Sequence, residues 1–423
     1  MPIVKTLRAD QLEFSSLLRP GDQVVCGQGT AEPLSLTTRL VRDAPQIGAM
    51  QVFLGVGCSD TFLNASATSL ELSSYGAIGT ASKLASMGRL DVSPIHYSTL
   101  ANDYACGKRH ADVVLIQLAP PGSRGLNGGL AHDYVLDAAK AARLVIAEVN
   151  TAAPWTFGAE LPDGLRVDIC VEADRLPLEL MPRPAGETER QIAELVSGLI
   201  PDYATMQIGV GSIPDTVLSS LMHHRDLGIH SGVIGDRVLD LIEAGVITNE
   251  RKAIDTGVTI CGNLFGSRRM WAWAHQNPQL NLRAATYTHA PSTLAHLERF
   301  IAINSAVEVD LSGQVNAEVA NGTYVGAVGG QVDFVRGANA SAGGRAIIAL
   351  PSTAKHGTVS RIVSRLQTVS CSRSDVDVIV TEWGVAELAG ATLAQRAQRL
   401  INIAAPCFRE SLAREMHDQG MNA

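Results

Sequence analysis

Seven short apolar runs recur along the chain, each entering a turn of small residues and then a helix-like stretch: DQVVCGQG, MQVFLGVG, ADVVLIQLAPP, RLVIAEVN, ATMQIGVG, RAIIALPST and DVDVIVTEWG. Runs of this kind alternating with helical patterns make βαβ units, whose parallel strands are covered on both faces and so read as continuous apolar segments. The expected class is therefore α/β. At 423 residues the chain is long enough for two or three domains, each burying its own core without a metal or disulfide staple. The stretch LELMPRPAGETER (178–190) is rich in helix breakers, and a periodic helix follows in ETERQIAELVSGLI, with Ile192, Leu195, Val196 and Leu199 on one face. The boundary is expected there, giving domains 1–182 and 183–423. Each half opens with an amphipathic segment and then a strand ending in a glycine-rich turn, GQGTAEP in one and GVGSIPD in the other.

The net charge of −8 argues against a nucleic-acid binder, which would carry a basic patch or stripe. With 46% hydrophobic and 18% charged residues, the composition leaves little room for disorder. The cysteines (Cys26, Cys58, Cys106, Cys170, Cys261, Cys371, Cys407) are far apart, with no C-x-x-C and no histidine at ligand spacing. They read as buried free thiols of a reducing compartment, with no metal site. The opening MPIVKTLRADQLEF lacks the apolar core of a signal peptide, and no apolar run approaches the ~18 residues of a membrane span. A cytoplasmic protein with no membrane partner is expected.

Several turns could carry chemistry. GVGSIPD (209–215) follows the strand ATMQI and opens the helix DTVLSSLMHH, with Ser212 expected as N-cap and Asp215 three residues on. A Gly-x-Gly turn entering a helix presents backbone N–H groups and the helix dipole to an anion such as a pyrophosphate, or is simply a tight ligand-free connection. GAVGGQVDFVRGA (326–338) packs Gly326, Gly329, Gly330 and Gly337 around one expected short strand, reading as a hairpin or bulge, or as close backbone approach to a ligand. PSTAKHG (351–357) ends the buried strand IIAL with Lys355 and His356 exposed, where Lys355 gains meaning only beside a phosphate or carboxylate. Glu32 in GQGTAEP and Asp60 in GVGCSDTF each follow a strand, where open α/β sheets form their ligand crevice, although most loop acids are solvated or cap a helix. His230 in LGIHSGVIGD (227–236) is by default a core histidine rather than a base.

Together these segments resemble one family, the acetyl-CoA hydrolase/transferase group of class I CoA-transferases, which includes 4-hydroxybutyrate CoA-transferases. The likeness runs through ADVVLIQLAPP, VIAEVN, GVGSIPDTVL, LGIHSGVIGDRVLDLIEAGVITN, INSAVEVDLSGQVNAE, VGGQVDFVRGA, IIALPSTAKHGTVSRIV and VTEWGVAEL. It implies two similar α/β domains with mostly parallel sheets and an active site in the interdomain cleft. It implies an acyl-CoA and a small carboxylic acid as substrates, CoA as substrate rather than cofactor, and a homodimer or higher homo-oligomer. By the same resemblance Gly209, Val210, Gly211, Ser212 and Ile213 bind CoA, Gly330 lines the thioester or supplies an oxyanion contact, and Lys355 reaches the CoA phosphates.

One departure stands out. The family's nucleophile is a glutamate inside a pattern resembling L-G-I-H-T-E-M-x-S-D-G, where this chain has Leu227-Gly228-Ile229-His230-Ser231-Gly232-Val233-Ile234-Gly235-Asp236-Arg237. Gly232 stands where the glutamate is expected, and glycine forms no thioester. The chemistry requires a carboxylate that attacks the acyl-CoA carbonyl and then takes up CoA. Three readings follow. Another carboxylate, Glu32 or Asp60, with Glu318 in GQVNAEV as a third candidate, serves a CoA-transferase for acids such as acetate, butyrate, 4-hydroxybutyrate, succinate or itaconate. Alternatively a carboxylate or His230 activates water in an acyl-CoA hydrolase, or the protein binds acyl-CoA without turning it over.

Overall fold

The structure is a computed structural model that describes residues 5–122, 125–182 and 184–418. Its chain separates into two compact units. The first runs to Met181 and also takes in Ile260–Thr288 and Thr323–Gly329; the second comprises Pro182–Thr259, His289–Gly322 and the chain from Gly330 onward. The boundary expected at 182/183 falls on Arg183, which lies outside the described residues.

In the first unit, eight strands form one parallel sheet in the order Lys5–Arg8, Ile169–Ala173, Leu144–Asn150, Val113–Gly122, Gln23–Cys26, Met50–Leu54, Leu70–Ser74, Asp91–Val92. The order reverses at Gln23–Cys26: the chain first adds strands on one side of it, then returns with Val113–Gly122 on the other. Alternation along the strands divides the core. Val24, Cys26, Val52, Leu54, Leu70, Leu72, Val113 and Leu115 face Leu36, Leu40 and Ala44 of the helix Leu34–Ile47. Those three helical residues recur every fourth position, the spacing of one buried face. On the other face Phe53 meets Tyr134 edge-on at 5.8 Å, and Tyr134 stacks on Tyr104 at 6.0 Å.

The second unit repeats the plan, with the order Gly228–Ile229, Thr205–Ile208, Phe300–Ser305, Arg345–Ala349, Val378–Thr381, Gly384–Glu387, parallel except for the final hairpin. Its central strands are buried on both faces, through Met206, Ile208, Ile301, Ile303, Ile347 and Ile379 among others. Here the order reverses between Thr205–Ile208 and Phe300–Ser305.

Local differences from the sequence reading have identifiable causes. The short strand expected within 326–338 is instead the helix Gln331–Ala340, because Val332, Val335 and Ala338 recur at helical spacing and all three are buried. Gly337 belongs to that helix, and a Cβ there would lie 2.5 Å from a methyl of Leu294, so glycine permits close helix packing. Ser212 is not an N-cap. Gly211, at φ +134°, takes the cap position that a side chain would strain, and the helix Ser212–Ser219 begins after it. The seven cysteines are free, but Cys106 and Cys407 are exposed and Cys58 is half-buried. Among the described residues no helix is long and apolar enough to cross a membrane.

Candidate active site

In open α/β sheets, ligands bind beyond the carboxyl ends of strands where the strand order reverses. Glu32 occupies that place in the first unit, between the reversing strand Gln23–Cys26 and the helix Leu34–Ile47. It is 5% exposed, and its Oε1 accepts hydrogen bonds from the hydroxyls of Thr37 and Ser59, both at 2.8 Å. Behind it, Arg175 pairs with the fully buried Glu148 at 2.6 Å and donates to the Glu32 carbonyl at 2.9 Å and to Gln117 Oε1 at 3.2 Å. The second oxygen of Glu148 accepts from the Ser35 N–H at 2.7 Å. Burial pushes the Glu32 carboxyl above the ordinary glutamate range, although the two hydroxyls and the Arg175 charge pull against it. A cavity of about 20 Å³, room for one water, is lined by Glu32 with Gly27, Gly55, Gly57, Ser59 and Thr80.

Asp60, next in sequence to the cavity-lining Ser59, behaves differently. Its side chain is 63% exposed and pairs with Lys83 at 3.1 Å, also in solvent. Glu318 in the second unit is buried and accepts from the Ser370 hydroxyl at 2.6 Å.

The second unit carries the glycine turn at its own reversal point. Gly209 follows Thr205–Ile208 and donates its N–H to the Ile303 carbonyl at 2.8 Å, and Val210 is exposed at the tip. Gly211 then leads into the helix Ser212–Ser219, whose first N–H groups have no side-chain cap. Within that helix burial raises the Asp215 carboxyl to about 6. Lys355 and His356 sit at the exposed tip of the hairpin formed by Thr353–Ala354 and Val359–Ser360, and both adopt left-handed backbone, at φ +49° and +55°. Two non-glycine residues in that conformation are a costly local choice, of the kind concentrated at functional loops. Gly232 and Gly330, far apart in sequence, converge on one side chain, the imidazole of His289. His230 is fully buried, edge-on to Phe300.

Sequence reasoning missed Arg175, Glu148 and His289. An acid inside the apolar strand run VIAEVN and a glutamine inside VVLIQLA were visible signals, because a polar group in a doubly covered strand needs a buried partner. Nothing in YTHAPS marks His289. Among the described residues, no group of three or more His, Cys, Asp or Glu is placed to hold a metal ion.

The chain matches the family model of the acetyl-CoA hydrolase/transferase N-terminal domain over residues 6–181 and that of the C-terminal domain over residues 266–416. It is 38% identical over 399 residues to the 4-hydroxybutyrate coenzyme A transferase of Clostridium kluyveri, with 93% of each chain covered. RipA from Yersinia pestis superimposes with a TM-score of 0.91 at 30% identity, over 99% of this chain and 98% of that one. A 4-hydroxybutyrate CoA-transferase from Porphyromonas gingivalis gives 0.82 at 32% identity, over 98% of both.

Proposed function

Because the chain belongs to the acetyl-CoA hydrolase/transferase family, we propose that it moves CoA between an acyl-CoA and a short-chain carboxylic acid, with Glu32 as the attacking carboxylate. The Glu32 oxygen adds to the thioester carbonyl and expels CoA thiolate, leaving a mixed anhydride. The thiolate then attacks the Glu32 carbonyl and releases the first acid, which stores CoA as an enzyme thioester. An incoming carboxylate reverses both steps, so one thioester and one acid are exchanged with no net proton or electron. Val210, Gly211, Ser212 and Ile213 hold CoA through backbone N–H groups, Gly209 lines the same turn with its own N–H kept by the Ile303 carbonyl, Lys355 pairs with the CoA phosphates, and the N–H groups beside Gly330 face the developing oxyanion. Gly232 takes no covalent part. The protein works in the cytoplasm as a homodimer or higher homo-oligomer, on acids of the size of acetate, butyrate or 4-hydroxybutyrate.

The observation that carries this reading is the setting of Glu32: a buried carboxyl at the reversal point of the sheet, held by two hydroxyls and backed by an arginine. Asp60 lacks that setting, since its charge is spent on Lys83 in water. The water-sized cavity beside Glu32 favours a second reading, acyl-CoA hydrolysis with Glu32 as general base.

The test is acyl exchange with acetyl-CoA and isotope-labelled short acids, followed by mass detection of labelled acyl-CoA and of free CoA. Labelled acyl-CoA from the unmodified protein, lost in Glu32→Gln, is the expected result. Free CoA without exchange supports the hydrolase instead. CoA binding with no product overturns both.

A further inference from the structure

The carboxyl edge of the second unit's sheet carries a tryptophan that the transfer chemistry above does not use. Trp383 sits with Glu382 in the two-residue turn between Val378–Thr381 and Gly384–Glu387, a hairpin that closes at the Thr381–Gly384 pair. It is 49% exposed, yet its ring is held in place. The indole N–H donates to Ser352 Oγ at 3.1 Å, and the Trp383 backbone N–H donates to Oγ1 of the fully buried Thr381 at 3.1 Å. Ser352 is tied in turn to Glu382, to which it donates its N–H at 2.8 Å and its hydroxyl at 2.6 Å. The Arg409 guanidinium stands over the ring, 5.8 Å from its centroid, and is itself fixed through Nε on the Ala404 carbonyl at 2.9 Å. A single exposed apolar side chain is ordinary on a protein surface. An exposed indole fastened at its nitrogen, its backbone and its π system is different, because the rotamer freedom that a stacking partner would have to remove is already spent.

The position of the ring identifies what it would stack on. Ser352, which holds the indole, directly precedes the hairpin of Thr353–Ala354 and Val359–Ser360 that carries Lys355. The strands Thr205–Ile208, Phe300–Ser305, Arg345–Ala349 and Val378–Thr381 are neighbours in that order and all parallel, so their carboxyl ends share one edge. Along that edge the glycine turn 209–213 follows the first strand, the Lys355 hairpin follows the third, and Trp383 follows the fourth. CoA presents its parts in the same order: a diphosphate, a ribose bearing a 3′-phosphate, and an adenine. A turn entering a helix N-terminus suits the diphosphate, and a lysine meets a phosphate as a point charge. An indole suits the purine, whose π-face stacks on an aromatic ring without any pattern of hydrogen bonds to match.

We propose that Trp383 is the stacking platform for the adenine ring of CoA. The proposal rests on the CoA reading above and asks nothing of Glu32. The indole forms no covalent bond and moves no proton. It adds affinity at the end of the molecule remote from the thioester, and so distinguishes CoA from carriers that end at the pantetheine phosphate.

The test compares wild type with Trp383→Leu and Trp383→Phe in calorimetric binding of CoA and of 4′-phosphopantetheine, which lacks the adenosine, with thermal melting to follow the fold. Stacking of a base on an aromatic side chain is worth about 5- to 150-fold in affinity. The expected result is a Kd for CoA raised at least about tenfold in the Leu variant and by less than about threefold in the Phe variant, which keeps an aromatic face. The Kd for 4′-phosphopantetheine should be the same in all three proteins. CoA should also quench the wild-type indole emission, 4′-phosphopantetheine should not, and the quench should vanish in Trp383→Phe. An unchanged Kd for CoA in Trp383→Leu, or an equal loss of 4′-phosphopantetheine, overturns the proposal. If the Leu variant does not fold, the quench decides, and one that survives in Trp383→Phe overturns the proposal. Wild-type protein that binds no CoA defeats the CoA reading itself.

Discussion

Gly232→Ala is the smallest change that probes the packing around His289, and its sign depends on that ring. The backbone at Gly232 is not left-handed, so alanine fits its conformation. With nothing else in the way, the substitution would stabilise the fold by about 0.4–1 kcal/mol, through reduced freedom of the unfolded chain. The new methyl, however, would lie 2.9 Å and 3.0 Å from imidazole atoms, and 3.5 Å from Cε2 of Phe334. Carbon contacts settle at about 3.5–4.0 Å, so the ring must retreat by roughly half an ångström or more. Retreat is restricted, because the ring is 3% exposed and packs on Phe334 with centroids 4.4 Å apart. Overpacking of this kind costs about 1–3 kcal/mol, a fall in melting temperature of roughly 2–12 °C for a unit of this size. In a His289→Ala background the clash is gone, and Gly232→Ala should become neutral or stabilising. Urea and thermal denaturation of the four proteins in this cycle give the coupling directly. Equal effects of Gly232→Ala with and without the histidine would refute the reasoning. The same geometry governs Gly232→Glu: alone it meets the ring and should give no gain in acyl exchange, whereas Gly232→Glu with His289→Ala has room for a carboxylate and should gain a covalent CoA adduct at residue 232, read by peptide mass mapping.

Glu32→Gln should lower acyl exchange by at least about 10³-fold, below the scale seen when a reacting residue is removed, while Asp60→Asn keeps wild-type rates; equal loss in both would remove Glu32 from the mechanism. The Glu32 substitution should also raise stability at neutral pH. A carboxyl whose folded pKa is raised favours folding below the ordinary glutamate value and loses that contribution as pH rises, so the advantage of Gln should appear above about pH 4.5 and vanish in acid. Arg175→Met leaves Glu148 buried without its cation and should cost about 3–5 kcal/mol in denaturation; a loss below 1 kcal/mol would show that Ser35 suffices. Lys355→Ala should raise KM for acetyl-CoA about tenfold, roughly 1.4 kcal/mol, with kcat unchanged, and an unaltered KM would separate that hairpin from CoA.

The parallel sheets were legible because their strands are covered on both faces, which leaves long apolar runs in the sequence. All seven runs are strands of the two sheets. The helix at 331–340 was misread because Val332 and Val335 are β-branched, and in isolation VDFV alternates like a strand; burial by the Phe300–Ser305 and Arg345–Ala349 strands overrides that preference. The excursions of 260–288 and 323–329 into the first unit carried no composition signal. Glu32 was legible as a candidate because its position after a strand is a local property. Its distinction from Asp60 was not, since it depends on Thr37, Ser59 and Arg175, which come from three separate segments.

Gly232 shows most clearly what a residue read alone conceals. As a sequence position it is an absence, a site with no group for covalent chemistry. In the fold it is half of a steric pair, because the space beyond it is filled by His289, and Gly330 meets the same edge of that ring from a separate segment. Introducing a carboxylate at 232 while leaving the imidazole in place changes one member of a matched set. An open space and a filled one therefore make different predictions. If nothing filled the space beyond residue 232, enlarging it would cost little whether or not the histidine is present; because the imidazole fills it, residues 232, 289 and 330 must change together.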